Sequence, residues 1–228
     1  MIHIRSKTIL KTMLGFVLFI VLLNIAGYFL MRNNMISEAQ FQMVYLDSEK
    51  NLPTFFSSIL LLTASVILFL IGWQGKQKVY WYLLGGIFCF LALDENISIH
   101  ENLTGVTRSM LNTETLGVFY FAWVIPYGIA TLILVVILYN FFRRLPKKTK
   151  VLFLISGLIF VLGAIGMEML AGRYAEQTGF TSRTYRVLAF LEEIMEMIGG
   201  CLFIFALLDY IILKKTLESW SFQYRNEL

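Results

Sequence analysis

Three stretches of this chain, Met13–Met31, Pro53–Trp73 and Leu116–Phe142, carry no charged residue at all. A bilayer core about 30 Å thick is crossed by about 20 apolar residues in a helix. Backbone amides at that depth need internal partners, and a helix supplies them. Three more apolar segments follow the same pattern but carry acids, so six spans are expected, at about 12–31, 53–73, 79–101, 116–142, 151–172 and 187–213. Of the 228 residues, 58% are hydrophobic and 15% charged, which excludes an ordinary soluble domain and a disordered chain. The reading is an all-α, polytopic membrane protein with one membrane domain over 1–228. The first apolar run lacks a small-x-small cleavage pattern and reads as a retained helix. Cys89 and Cys201 both lie in apolar segments and read as small buried hydrophobes.

Orientation follows from Lys and Arg. With the N-terminus inside, thirteen of the nineteen fall in inside segments, among them Arg5, Lys7, Lys11, Lys76, Lys78, Lys214, Lys215, Arg225 and the RRLPKK cluster Arg143–Lys148. The positive-inside rule then puts both termini in the cytoplasm and the protein in the inner (plasma) membrane. The net charge of +4 is explained by this topology and needs no nucleic-acid partner. The bilayer is the expected partner, with a membrane protein or a second copy of the chain as a further one.

The stretch Leu91–Asn102, LALDENISIHEN, breaks the apolar pattern. It sets Asp94, Glu95, His100 and Glu101 at the end of an apolar run that begins after Lys78. The run is too short to span alone, so the helix is expected to continue through Asp94 and Glu95. Ionisable groups at membrane depth are costly and usually functional. At 1.5 Å per residue, Asp94 and Glu95 stand about 24–26 Å above Lys78, Glu168 about 27 Å above Lys150, and Glu196 and Glu192 about 27 and 33 Å above Lys214. With Glu193 and Glu101, seven carboxylates and one imidazole reach one outer layer.

Glu192, Glu193 and Glu196 share one side of the last helix, just above Gly199 and Gly200. Glu168 continues a stripe of Gly157, Val161, Ala164, Ala171 and Gly172, which predicts close helix approach there. A regular helix cannot aim Asp94, Glu95, His100 and Glu101 at one point. Either it breaks near Asn96–Ser98 or some of the four support the others. Thr104–Thr115 reads as a loop, and Pro126 as a kink in the fourth helix.

So many carboxylates need compensation, because like charges oppose one another's ionisation. Protons, a metal, or Arg108, Arg173, Arg183 and Arg186 in an ion-pair network would each supply it. Carboxylates with one imidazole suit zinc, manganese or iron. The metal set expected is Asp94, Glu95, His100, Glu101, Glu168 and Glu192, with Glu193 and Glu196 as catalytic acids. Known motifs do not fit: His100-Glu101 opens like HExxH, but Thr104 stands at the second histidine.

The function expected is a membrane-embedded hydrolase acting on lipid, with water activated by the metal as nucleophile. The first alternative is a sensor or assembly subunit whose acidic layer is a salt-bridge network or ligand pocket. The second is cation or proton translocation. Against the second, the inner halves of the helices carry few ionisable groups to continue a path, and Asp209 reads as an interfacial residue near Lys214.

Overall fold

The structure, a computed structural model, describes residues 6–74, 77–111 and 115–226, with side chains as far as residue 214. Of the basic residues used for orientation, Arg5 and Lys76 lie outside the described residues, as do the side chains of Lys215 and Arg225. The described residues are mostly helical, with no strand among them: α1 (Ser6–Arg32), α2 (Glu38–Gln42), α3 (Leu52–Gln74), α4 (Lys78–Ile97), α5 (Ile99–Leu111), α6 (Val124–Arg144), α7 (Lys147–Val161), α8 (Glu168–Thr178) and α9 (Arg183–Asn226). Five helices are long and apolar enough to cross a membrane, taking α7 and α8 as one, and a sixth is counted if α4 and α5 form one broken span.

α3 begins where the sequence signals it. The Asn51 side chain accepts the Thr54 N–H at 3.1 Å, and Pro53 sits in the first turn, where no N–H is required. α3 and α4 pair closely, tied by hydroxyls that donate to carbonyls across the interface: Ser58 Oγ to Ala92 at 2.8 Å and Ser65 Oγ to Gly85 at 2.7 Å. Such bonds relieve backbone carbonyls within an apolar pair and fix its register. α9 runs through the middle, against α1, α3, α7 and α8. Around its lower part Trp81, Phe141, Phe153 and Tyr210 pack ring on ring. There Asp209 pairs with Lys148 at 2.6 Å.

The expected small-residue stripe is only partly where the helices approach. Within it Ala171 is fully buried and a Cβ on Gly172 would lie 3.1 Å from the Phe121 ring, while the closest approaches, a Cβ on Gly199 at 2.8 Å from that of Phe160 and one on Gly163 at 3.1 Å from the Glu192 carbonyl oxygen, lie outside it. At Gly157 the space is open. The segment Leu162–Met167, between α7 and α8, is a π-turn, and such a turn shifts which residues face a neighbour.

Three sequence expectations are corrected. Thr104–Thr115 is not a loop: α5 continues to Leu111, residues 112–114 lie outside the described residues, and Thr115 has no regular structure. Its apolar residues Ile99, Leu103, Val106 and Met110 do recur at helical spacing, but across the boundary of the acidic stretch. The fourth span starts at Val124, not Leu116, because a 3-10 turn at Gly117–Phe119 precedes it, with Gly117 at φ +57°. Pro126 therefore stands third in α6 and opens that helix instead of kinking it.

Candidate functional site

α4 ends at a corner. Ser98 is in the left-handed conformation, φ 51° and ψ 49°, and α5 leaves at 85° to α4. This is one of the two alternatives that helical spacing left for Asp94, Glu95, His100 and Glu101. It folds the first turn of α5 back over the end of α4. Asp94, buried in the last turn of α4, then accepts the His100 backbone N–H at 2.9 Å and lies 3.1 Å from the ring Nδ1. Its other oxygen accepts the Tyr127 hydroxyl at 2.8 Å. The His100 ring packs against Trp123, with centroids 4.9 Å apart.

With Nδ1 held by Asp94, Nε2 is the ring nitrogen left over. Glu49, His100 and Glu101 each offer a ligand atom, and the three atoms lie within 4.8 Å of one another. Sequence reasoning missed Glu49. It lies in the loop between α2 and α3, where acids normally face water and no spacing marks it. Ser98 holds it, donating its hydroxyl to Glu49 Oε2 at 2.9 Å. Nearby, Asp47 accepts the hydroxyls of Tyr45 at 3.2 Å and Tyr185 at 3.4 Å, which ties the loop to α9. Burial pushes the Asp47 carboxyl up to about 6, with both tyrosine bonds opposing it. Burial also raises Glu49, against the pull of the Ser98 hydroxyl.

Two carboxylates, both exposed, and one imidazole could hold a metal ion here, and a carboxylate behind the histidine is the usual support of such a ligand. Asp94 thus stands behind the group, and not in it.

The other expected acids form a deeper layer. Glu95 is within electrostatic reach of Glu49 and His100. Glu193 and Glu196 both lie within reach of Glu95. Glu168 accepts the Trp123 indole N–H at 3.0 Å.

The arginines stand elsewhere. Arg108 donates from Nε to the Tyr120 carbonyl at 3.0 Å and lies over that ring, 4.2 Å from its centroid. Arg173, Arg183 and Arg186 are exposed. Among the described residues none of the four forms an ion pair with a carboxylate.

The family described as "Domain of unknown function (DUF8692)" matches residues 13–211. The chain belongs to it. No curated protein and no solved structure matches the chain. The matched span contains the whole site, from Asp47 and Glu49 in the loop to Glu196 on α9.

Proposed function

We propose that this is a multi-pass inner-membrane protein, both termini cytoplasmic, that binds zinc, manganese or iron through Glu49, His100 and Glu101 and hydrolyses a substrate delivered from the bilayer. The observation that carries this reading is the gathering of those three ligand atoms within 4.8 Å. The carboxylate-backed imidazole of His100 supports it.

A cation at this group would supply Lewis acidity and lower the pKa of water. The chain's own residues do the rest. Asp94 fixes the imidazole's tautomer and direction, and Tyr127 and Trp123 fix Asp94 and the ring. Glu95, beside Asp94 in the last turn of α4, is assigned as general base, the role expected of Glu193 and Glu196 on α9. The half-buried carboxyl layer keeps this end of the bundle polar where lipid headgroups arrive.

Elemental analysis of protein purified without chelator, followed by zinc and manganese titration, tests the site. One equivalent is expected, lost in Glu49→Gln and in His100→Gln and kept in Glu38→Gln, an exposed acid outside the group. If no metal is retained and chelator leaves the melting temperature unchanged, the metal and the hydrolase are abandoned together. A ligand-pocket sensor then becomes the reading.

A further inference from the structure

α5 has no buried residue, although it is thirteen residues long and leads directly out of the twenty-residue α4. At about 100° per residue, Ile99, Leu103, Val106 and Met110 fall on one side and Glu101, Gly105 and Arg108 on the other. The apolar side is open in its outer half: Val106 is 50% exposed and Met110 79%. The surface continues onto the last turn of α4, where Leu93 and Ile97 are also exposed. A helix with one apolar and one charged face, turned 85° from a span, has the form of a segment lying in the plane of the membrane interface.

We propose that α5 lies in the headgroup–acyl boundary of the leaflet next to the acidic layer, with Val106 and Met110 dipped into lipid and Glu101 turned to the aqueous side. The inference rests on the membrane reading above and needs no metal. Two anchors hold α5 at that level: the Ser98 corner at one end, and Arg108 on Tyr120 near the other. Because His100 and Glu101 belong to the first turn of α5, the three-ligand group sits at headgroup depth, open to a lipid's polar end.

The test uses the full chain in lipid nanodiscs. Nitroxide labels are placed at Met110→Cys, Gly105→Cys and Leu132→Cys in a Cys89→Ala background, leaving the buried Cys201. A Cβ at Gly105 meets nothing within 4 Å, and Leu132, on α6, is 69% exposed. Collision with oxygen reports lipid, and collision with a water-soluble nickel chelate reports water. The oxygen-to-nickel ratio is expected to be several-fold higher at Met110 and Leu132 than at Gly105. Nickel access at Met110 with Leu132 still shielded would put α5 in water and overturn the proposal. Shielding of Met110 from both reagents would mean a protein partner and would overturn it as well. Nickel access at Leu132 would instead remove the membrane reading on which the proposal rests.

Discussion

Asp94 holds His100 twice, accepting the backbone N–H at 2.9 Å and facing the ring Nδ1 at 3.1 Å. Both contacts come from one carboxylate oxygen, which leaves the other to the Tyr127 hydroxyl. The histidine's position and its proton are therefore set by the same residue.

Asp94→Asn should weaken metal binding by about 10- to 100-fold, the usual loss when a carboxylate behind a histidine ligand is removed. The fold should survive, since Asn keeps an acceptor for the backbone N–H. Tyr127→Phe should act in the same direction and less. Manganese titration followed by electron paramagnetic resonance measures both. An Asp94→Asn protein that binds as tightly as the wild type would detach Asp94 from the site.

The loop should respond to pH. Burial raises Asp47 from an ordinary 3.8 to about 6, so the folded chain keeps a proton that the unfolded chain has released. Stability contributed by Asp47 is then present below its unfolded value and lost as pH rises through about 6. In chelator, the melting temperature should fall across that window, and Asp47→Asn should flatten the fall. Added divalent metal should reverse it at the upper end, because Glu49 binds metal only after giving up its own raised proton. A melting temperature that climbs from pH 4 to about 6 in chelator would contradict this account of the loop.

The Trp123–Glu168 bond predicts an unequal pair of variants. Glu168→Leu leaves the Trp123 indole N–H without its acceptor, at about 1–3 kcal/mol. Glu168→Gln keeps that acceptor, so it should melt closer to wild type. If both variants fell equally in detergent melts, the bond to Trp123 would not be what Glu168 contributes to stability.

Helix approach gives a sharper contrast. Gly199→Ala would press a methyl to 2.8 Å from the Phe160 Cβ and 2.9 Å from its Cα, where backbone cannot yield cheaply. A loss of about 1–3 kcal/mol is expected. Gly157→Ala enters open space and should be neutral or slightly stabilising, as Ala is the better helix former. Thermal unfolding of the two variants side by side decides it.

The apolar runs made the helices legible because a bilayer leaves the backbone few other choices. The break in α4 was half legible: four polar side chains that no regular helix could aim together left either a break or supporting roles, and the spacing did not choose between them. Glu49 was not. Nothing near it in sequence distinguishes it from a solvated loop acid, and only the fold-back of the loop onto Ser98 brings it to His100. α5 was hidden for a different reason: its apolar period begins at Ile99, inside a segment already assigned to the preceding helix. Pro126 misled because its place in a helix decides its effect, and the start of α6 depends on a distant residue. Glu176 on α8 accepts the N–H groups of Leu116 and Gly117, both at 2.9 Å, and holds the 3-10 turn there.

Ser98 occupies a backbone conformation that glycine would adopt with less strain, by about 1–2 kcal/mol for a residue with a Cβ. Its hydroxyl is what glycine lacks, and that hydroxyl is the one holding Glu49. The corner therefore sets conformational ease against ligand aim: Ser98→Gly should leave a chain that folds as readily or more so, with a loop carboxylate free to swing away from His100.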